Sequence, residues 1–212
     1  MSQTEKVSAK EYLAKCKKAA VKGNVIAQNT LGFLYLNGQG VDRDYTEAVR
    51  WFEQAAQQEY REAQYNLAIM YNLGQGTQQD KVQGAHWMKR AADYAYAPAQ
   101  NALADLYYKG EGVELDYVLA YVYWELAEKN GVKDIEHKKS EILKKMSLED
   151  IENANRLLKD VLLRKSDQLS GACRNYFEAL KSKAQDVKDI GILYYKNLGL
   201  DEQTALIEIE KD

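Results

Sequence analysis

Ala27-Gln28-Asn29-Thr30-Leu31-Gly32-Phe33-Leu34-Tyr35-Leu36-Asn37-Gly38-Gln39-Gly40-Val41-Asp42-Arg43-Asp44 is a pattern that the chain writes three times. The segments beginning at Ala63 and Ala99 follow it at intervals of 36 residues. In that register Gln28, Gln64 and Gln100 coincide, as do Leu31, Leu67 and Leu103. Gly32, Ala68 and Ala104 form a small-residue column, and Tyr35, Tyr71 and Tyr107 an aromatic one. The glycine pairs Gly38/Gly40, Gly74/Gly76 and Gly110/Gly112 come next, followed by Asp44, Asp80 and Asp116. Further on lie the columns Trp51/Trp87/Tyr123, Phe52/Met88/Trp124 and Ala55/Ala91/Ala127. A period of this length with so many columns in register is the mark of a repeat array.

Each unit reads as two helices. Ala27, Leu31 and Tyr35 are four residues apart and share one helical stripe. Gly32 lies where a missing side chain lets a neighbouring helix come close. Gly38 and Gly40 stop the first helix, because glycine readily takes the left-handed conformation that ends one. Asp44 with Glu47 reads as a capping box at the start of the second helix; Asp80 with Gln83 repeats it, while Asp116 keeps only the cap. The second helix then presents Ala48, Trp51, Phe52 and Ala55 on one face. Pro98, the chain's single proline, falls in the first turn of a first-type helix, where its missing N–H is harmless.

The run Ala27-Gln28-x-x-Leu31-Gly32-x-x-Tyr35-x-x-Gly38-x-Gly40-Val41-x-x-Asp44, then Ala48-x-x-Trp51-Phe52-x-x-Ala55-Ala56, resembles the SEL-like repeat family, a relative of the tetratricopeptide repeats. The Gly-x-Gly-Val-x-x-Asp loop followed by the aromatic pair separates it from tetratricopeptides. The resemblance covers about residues 8 to 163, with Thr77 for the loop valine, Gly84 for Ala48 and Glu128 for the second alanine. It implies an all-α fold, an alpha-alpha superhelical solenoid of helix pairs with helical caps. The expected organisation is an N-terminal capping helix over residues 1–23, three repeats over 24–131, capping helices over 132–164 and a non-repeat helical tail over 165–212. Within the first cap, Cys16 falls one period below Phe52 and reads as a small buried hydrophobe. In the second, Lys139 replaces the column leucine, and Ser147 with Asp150 caps a last helix carrying Ile151, Ala154, Leu157 and Leu158. Such caps close the open end of a one-dimensional stack. The tail, with Leu169, Cys173, Tyr176, Leu180 and Val187, reads as amphipathic; it would pack back on the solenoid, carry self-association or hold the specific contact.

Composition narrows the function. Apolar residues at 46% and charged residues at 29% suit a globular protein, and a formal net charge of -3 argues against a general nucleic-acid binder. Nothing resembles a signal peptide or a membrane span, and two distant cysteines make no disulfide framework, so the expectation is a cytoplasmic protein. His86 aligns with Arg50 and Val122 on a variable face, and His137 lies in a lysine-rich stretch; both read as solvated residues. Lys138-Lys139 and Lys144-Lys145 are flanked by glutamates, as on an exposed helix. No cysteine and histidine cluster has metal spacing, no cofactor is implied, and the recurring aspartates are explained as caps. The rival reading is a hydrolase, since β-lactamase activity has been ascribed to cysteine-rich proteins sharing this repeat. Their cysteine pair in each repeat is absent here, and no Ser-x-x-Lys stretch has suitable company.

The expectation is therefore a non-catalytic module that binds a protein or peptide. The resemblance implies that first-type helices line a concave groove, and it implies adaptor or assembly roles; a compact, acidic chain would also suit a cognate toxin inhibitor, an immunity protein. Non-framework positions on that face are Asn29, Phe33 and Leu36, then Tyr65, Ile69 and Asn72, then Asn101, Asp105 and Tyr108. They differ between repeats where the framework columns repeat. Asparagines suit a peptide backbone, and tyrosines with apolar residues suit side-chain anchoring. The alternative use of these positions is to pack beneath the tail.

Overall fold

In a computed structural model, which describes residues 3–163 with side chains from Tyr12 onward, the chain is built of antiparallel helices. They are α1 (Gln3–Val21), α2 (Val25–Asn37), α3 (Tyr45–Gln57), α4 (Arg61–Leu73), α5 (Lys81–Asp93), α6 (Ala97–Lys109), α7 (Tyr117–Lys129), α8 (Glu136–Leu143) and α9 (residues 148–163). No strand occurs among the described residues. The tail expected over residues 165–212, with Cys173, lies outside them. Successive helices pack on one another from α1 to α8, and residues up to Leu158 form one unit. The fold is an all-α helical-repeat solenoid.

The repeat columns account for this geometry. Leu31, Leu67 and Leu103 are fully buried, as are Ala55, Ala91 and Ala127. Gly38, Gly74 and Gly110 end α2, α4 and α6 in the left-handed conformation. The second glycine of the loop serves a different purpose. A Cβ on Gly76 would collide with the carbonyl of Tyr45, and one on Gly112 with that of Lys81, so each loop rests on the preceding second-type helix. Asp44 accepts from the amides of Thr46 and Glu47, Asp80 from Val82 and Gln83, and Asp116 from Leu119. Only half of the expected capping box forms. The amides of Asp44, Asp80 and Asp116 instead donate to the carbonyls of Tyr35, Tyr71 and Tyr107 at 2.9, 2.9 and 3.0 Å, which ties the end of each first helix to the start of its second.

The signature glutamines also find a purpose. Gln28, Gln64 and Gln100 are buried, and their Nε2 atoms donate to the carbonyls of Ala20, Ala56 and Ala92. Each gives a second hydrogen bond to a last-turn carbonyl of the preceding helix, which also accepts from the backbone amide of Gly23, Glu59 or Ala95. Three apolar clusters follow one another along the stack: Ala20, Leu31, Leu34 and Trp51; then Phe52, Leu67 and Met70 with the alanines; then Met88 and Leu103 with theirs. Cys16 packs half-buried against the first. Trp87 is only half-buried, but it packs against both the second and third clusters.

Gly84, which departs from the alanine of its column, is explained by Asn72. The carboxamide Oδ1 of Asn72 occupies the space that a Cβ on residue 84 would need. At the other end, Lys139 departs from the expectation of an exposed lysine pair. It takes the leucine column into the interior, with its side chain 8% exposed, and its ammonium meets Glu128, Glu125 and Glu136 at 2.6, 3.0 and 3.1 Å. Burial disfavours that charge, but the hydrogen bonds it donates to the three carboxylates outweigh it and raise the lysine pKa. The final helix starts on a reciprocal cap, in which Asp150 N donates to Ser147 Oγ at 3.1 Å and Ser147 N to Asp150 Oδ2 at 2.9 Å.

Candidate partner-binding face

The nine face positions lie on α2, α4 and α6, three to a helix, but they do not meet the same fate. In repeat one Phe33 stands 39% exposed, held edge-on against buried Phe52 with ring centroids 5.5 Å apart. Leu36 is half-buried beside it. Asn29 is buried, and its Oδ1 accepts from Asn66 Nδ2 at 3.2 Å. In repeat two Ile69 and Tyr65 are half-buried against the third core cluster. Tyr65 makes an edge contact with Tyr96 at 5.4 Å, and burial raises its phenol pKa. It is therefore a packing residue with one open edge rather than a fully exposed ring. Asn72 fills the notch over Gly84, and its Oδ1 is buried without a hydrogen-bond partner.

In repeat three the same positions are engaged by the chain itself. Lys138 Nζ, on α8, meets the two oxygens of Asp105 at 2.7 and 2.9 Å and Asn101 Oδ1 at 3.4 Å. Trp124 Nε1 donates to Asp105 Oδ1 at 3.2 Å. Lys145 donates to the Tyr108 hydroxyl and stands 4.4 Å above its ring centroid. The hydrogen bond to Tyr108 raises the lysine pKa. Asn101, Asp105 and Tyr108 thus hold the C-terminal cap in place, whereas the positions in repeats one and two make no contact with it among the described residues.

Sequence columns miss Asn66, Lys138 and Lys145. Columns align residues 36 apart, whereas neighbouring first-type helices touch through residues 37 apart: Asn29 with Asn66, Asn101 with Lys138 and Tyr108 with Lys145. Leu73, the last residue of α4, is 59% exposed and lies in a variable column. His86 and His137 are both exposed, His86 with its ring edge-on to Trp87. No group of three or more histidine, cysteine, aspartate or glutamate side chains converges as a metal site among the described residues. No helix among them is long and apolar enough to cross a membrane.

Comparison with known proteins gives the same repeat. Residues 25–60, 61–93 and 97–132 each match the Sel1 repeat. The crystal structure of a protective antigen present in uropathogenic Escherichia coli strains, displaying an SLR fold, is 37% identical over 55% of this chain and 25% of that one, with a TM-score of 0.54. A Sel1 repeat protein from Oxalobacter formigenes is 30% identical over 60% of this chain and 54% of its own, with a TM-score of 0.55. The chain spans a quarter of the length of the first and about half of the second. No curated protein matches.

Proposed function

The chain belongs to the Sel1 repeat family through residues 25–132, and from that membership we propose that it holds a partner protein or peptide against the first-type helices of repeats one and two. Proteins of this family in general mediate protein–protein interaction as non-catalytic scaffolds. The observation that carries the reading is Phe33. It is a large apolar ring left 39% exposed beside framework columns, Leu31/Leu67/Leu103 and Gln28/Gln64/Gln100, that are buried. Leu36 and Ile69 add half-buried apolar surface on the same face. Exposed aromatic anchors beside fixed packing are the groups that dominate affinity at protein interfaces.

Site-directed photo-crosslinking in the native cells tests this. A photoreactive residue at Phe33 or Leu36 is expected to capture a partner, and one at His86 or Leu148 is not. Capture only from His86, Leu148 or the region beyond residue 164 would move recognition off this face. Two finer roles fit the module, an adaptor and an inhibitor of a cognate toxin. Assaying the captured partner with and without the chain separates them, because an inhibitor abolishes the partner's activity and an adaptor leaves it running.

A further inference from the structure

The junction between repeats one and two carries a pair of carboxamides in which only one amino group and one carbonyl oxygen are hydrogen-bonded to each other. Asn66 Nδ2 donates to Asn29 Oδ1. That leaves the amino group of Asn29 and the carbonyl oxygen of Asn66, and neither makes a hydrogen bond among the described residues. Asn29 is more than nine-tenths buried, so its amide is held in place by packing. The two free groups are one donor and one acceptor, the complement of the C=O and N–H that a single residue of an extended chain points to the same side. The other two junctions lack this arrangement. Ala102 takes the Asn66 position in repeat three, and at the cap Asn101 faces Lys138.

The surroundings fix the chemistry of what binds there. α2 carries no charged residue over its whole length, and α4 carries none after Glu62. In a chain with 29% charged residues, these two helices therefore bring almost no charge of their own to the face. Asp105, the first carboxylate reached along the face in repeat three, is neutralised by Lys138. Phe33 and Ile69 lie one helical turn beyond Asn29 and Tyr65, and Ile69 is three residues beyond Asn66, so apolar surface flanks the carboxamide pair.

We propose that Asn29 and Asn66 together grip the N–H and C=O of one residue in an extended, uncharged peptide segment, with an adjacent apolar side chain of that segment resting on Phe33 and Ile69. This rests on the partner-binding reading above and names the chemistry of the partner. Recognition through the main chain explains why the site needs no charge. It also makes binding independent of salt, because no counterions are released and no long-range attraction is screened.

The test uses the full-length chain and a displayed library of random peptides. Selected sequences are expected to share a run without Lys, Arg, Asp or Glu and with a large apolar residue, and their affinity should not change between low and high salt. One selected peptide is then remade with each peptide bond N-methylated in turn. Methylation at a single bond is expected to weaken binding about tenfold, the loss of one to two net hydrogen bonds. Asn66→Ala should weaken the unmodified peptide by a similar factor and abolish the effect of methylation. Because alanine already occupies this column at Ala102, that variant is expected to fold, which circular dichroism checks. A charged or salt-sensitive consensus, a flat methylation scan, or a methylation effect that survives in Asn66→Ala overturns the proposal. So does a library without binders, or a concentration-dependent dimer that Asn66→Ala dissolves, since each places a different occupant on the face. If photo-crosslinking at Phe33 succeeds while the methylation scan is flat, only this inference falls and the partner-binding reading stands.

Discussion

Gly32 faces Phe52 so closely that a Cβ at that position would overlap the ring at Cδ1, Cε1 and Cζ. At the equivalent positions the next repeats carry Ala68 with Met88, in one core cluster, and Ala104 with Trp124. Gly32→Ala should therefore cost about 1–3 kcal/mol, the usual penalty for forcing a methyl group into a packed core. Adding Phe52→Met copies the second repeat's pair, and urea denaturation should show the double variant less destabilised than the sum of the two single changes. An additive result would mean that the two residues do not constrain one another. A second residue-scale prediction concerns Gln64, whose buried Oε1 has no partner. Its equivalents Gln28 and Gln100 accept from Gln58 and Asn130 at 2.6 and 2.7 Å, but Tyr94 occupies that column in the middle repeat. Tyr94→Asn should supply the missing donor and raise stability by about 1 kcal/mol, and a lower denaturation midpoint would contradict that account.

At the scale of the element, the cap helix α8 is held differently from the repeats. Ile135, Ile142 and Met146 bury apolar surface, but Lys138, Lys139 and Lys145 reach carboxylates and tyrosines that a full repeat would cover with leucine or aromatic rings. Lys139→Met leaves Glu125, itself 18% exposed, facing a closed interior without its cation. Removing one partner of a buried pair costs more than removing both, and the partial exposure of the carboxylates discounts the penalty to about 2 kcal/mol. Adding Glu125→Gln should recover most of it. If the single variant is as stable as the parent, the three carboxylates hold no part of the cap's stability. The sign of the pKa shift also matters here. Because the folded-state value of Lys139 is raised, its contribution is complete at neutral pH and fades only as the pH climbs above the ordinary lysine range.

For the whole molecule, the stack is a chain of neighbouring clusters, so residues shared by two clusters couple them. Trp87 is such a residue. Its half-exposure and the Arg90 guanidinium 4.9 Å from its ring place Trp87→Ala near the lower end of the range for aromatic truncation, about 3 kcal/mol. The unfolding transition should also broaden as repeats two and three lose their coupling, and an unchanged midpoint would show that the indole joins nothing. By contrast, His86 and His137 lie exposed outside the columns. Replacing both with alanine should change neither the thermal midpoint nor partner capture. Loss of function in that variant with binding intact would bring a catalytic role back into consideration.

Legibility in the sequence follows the range of the interaction. The helix pairs, their caps and their buried columns could be read directly, because they depend on spacings of three or four residues and on one period of 36 residues. The same reading put nine residues on one face, yet it could not say which of them stayed open. That depends on contacts between residues 37 apart, which column alignment passes over, and on a cap where leucine periodicity has already lapsed. Lys139 shows the limit clearly: its sequence neighbours Glu136, Lys138 and Ser140 look like a solvated helix, and only packing against Glu125 and Glu128 takes it inside. Gly84 is a second case, since its missing side chain is demanded by Asn72 twelve residues earlier. The sequence by itself determined that this protein is a stack of three helix pairs, because periodic burial is a local property repeated along the chain. Only the tertiary structure decided that repeat three spends these positions on the cap while Asn29 pairs with Asn66 and Phe33 stays exposed, because side-chain pairing between neighbouring helices is set by how they pack.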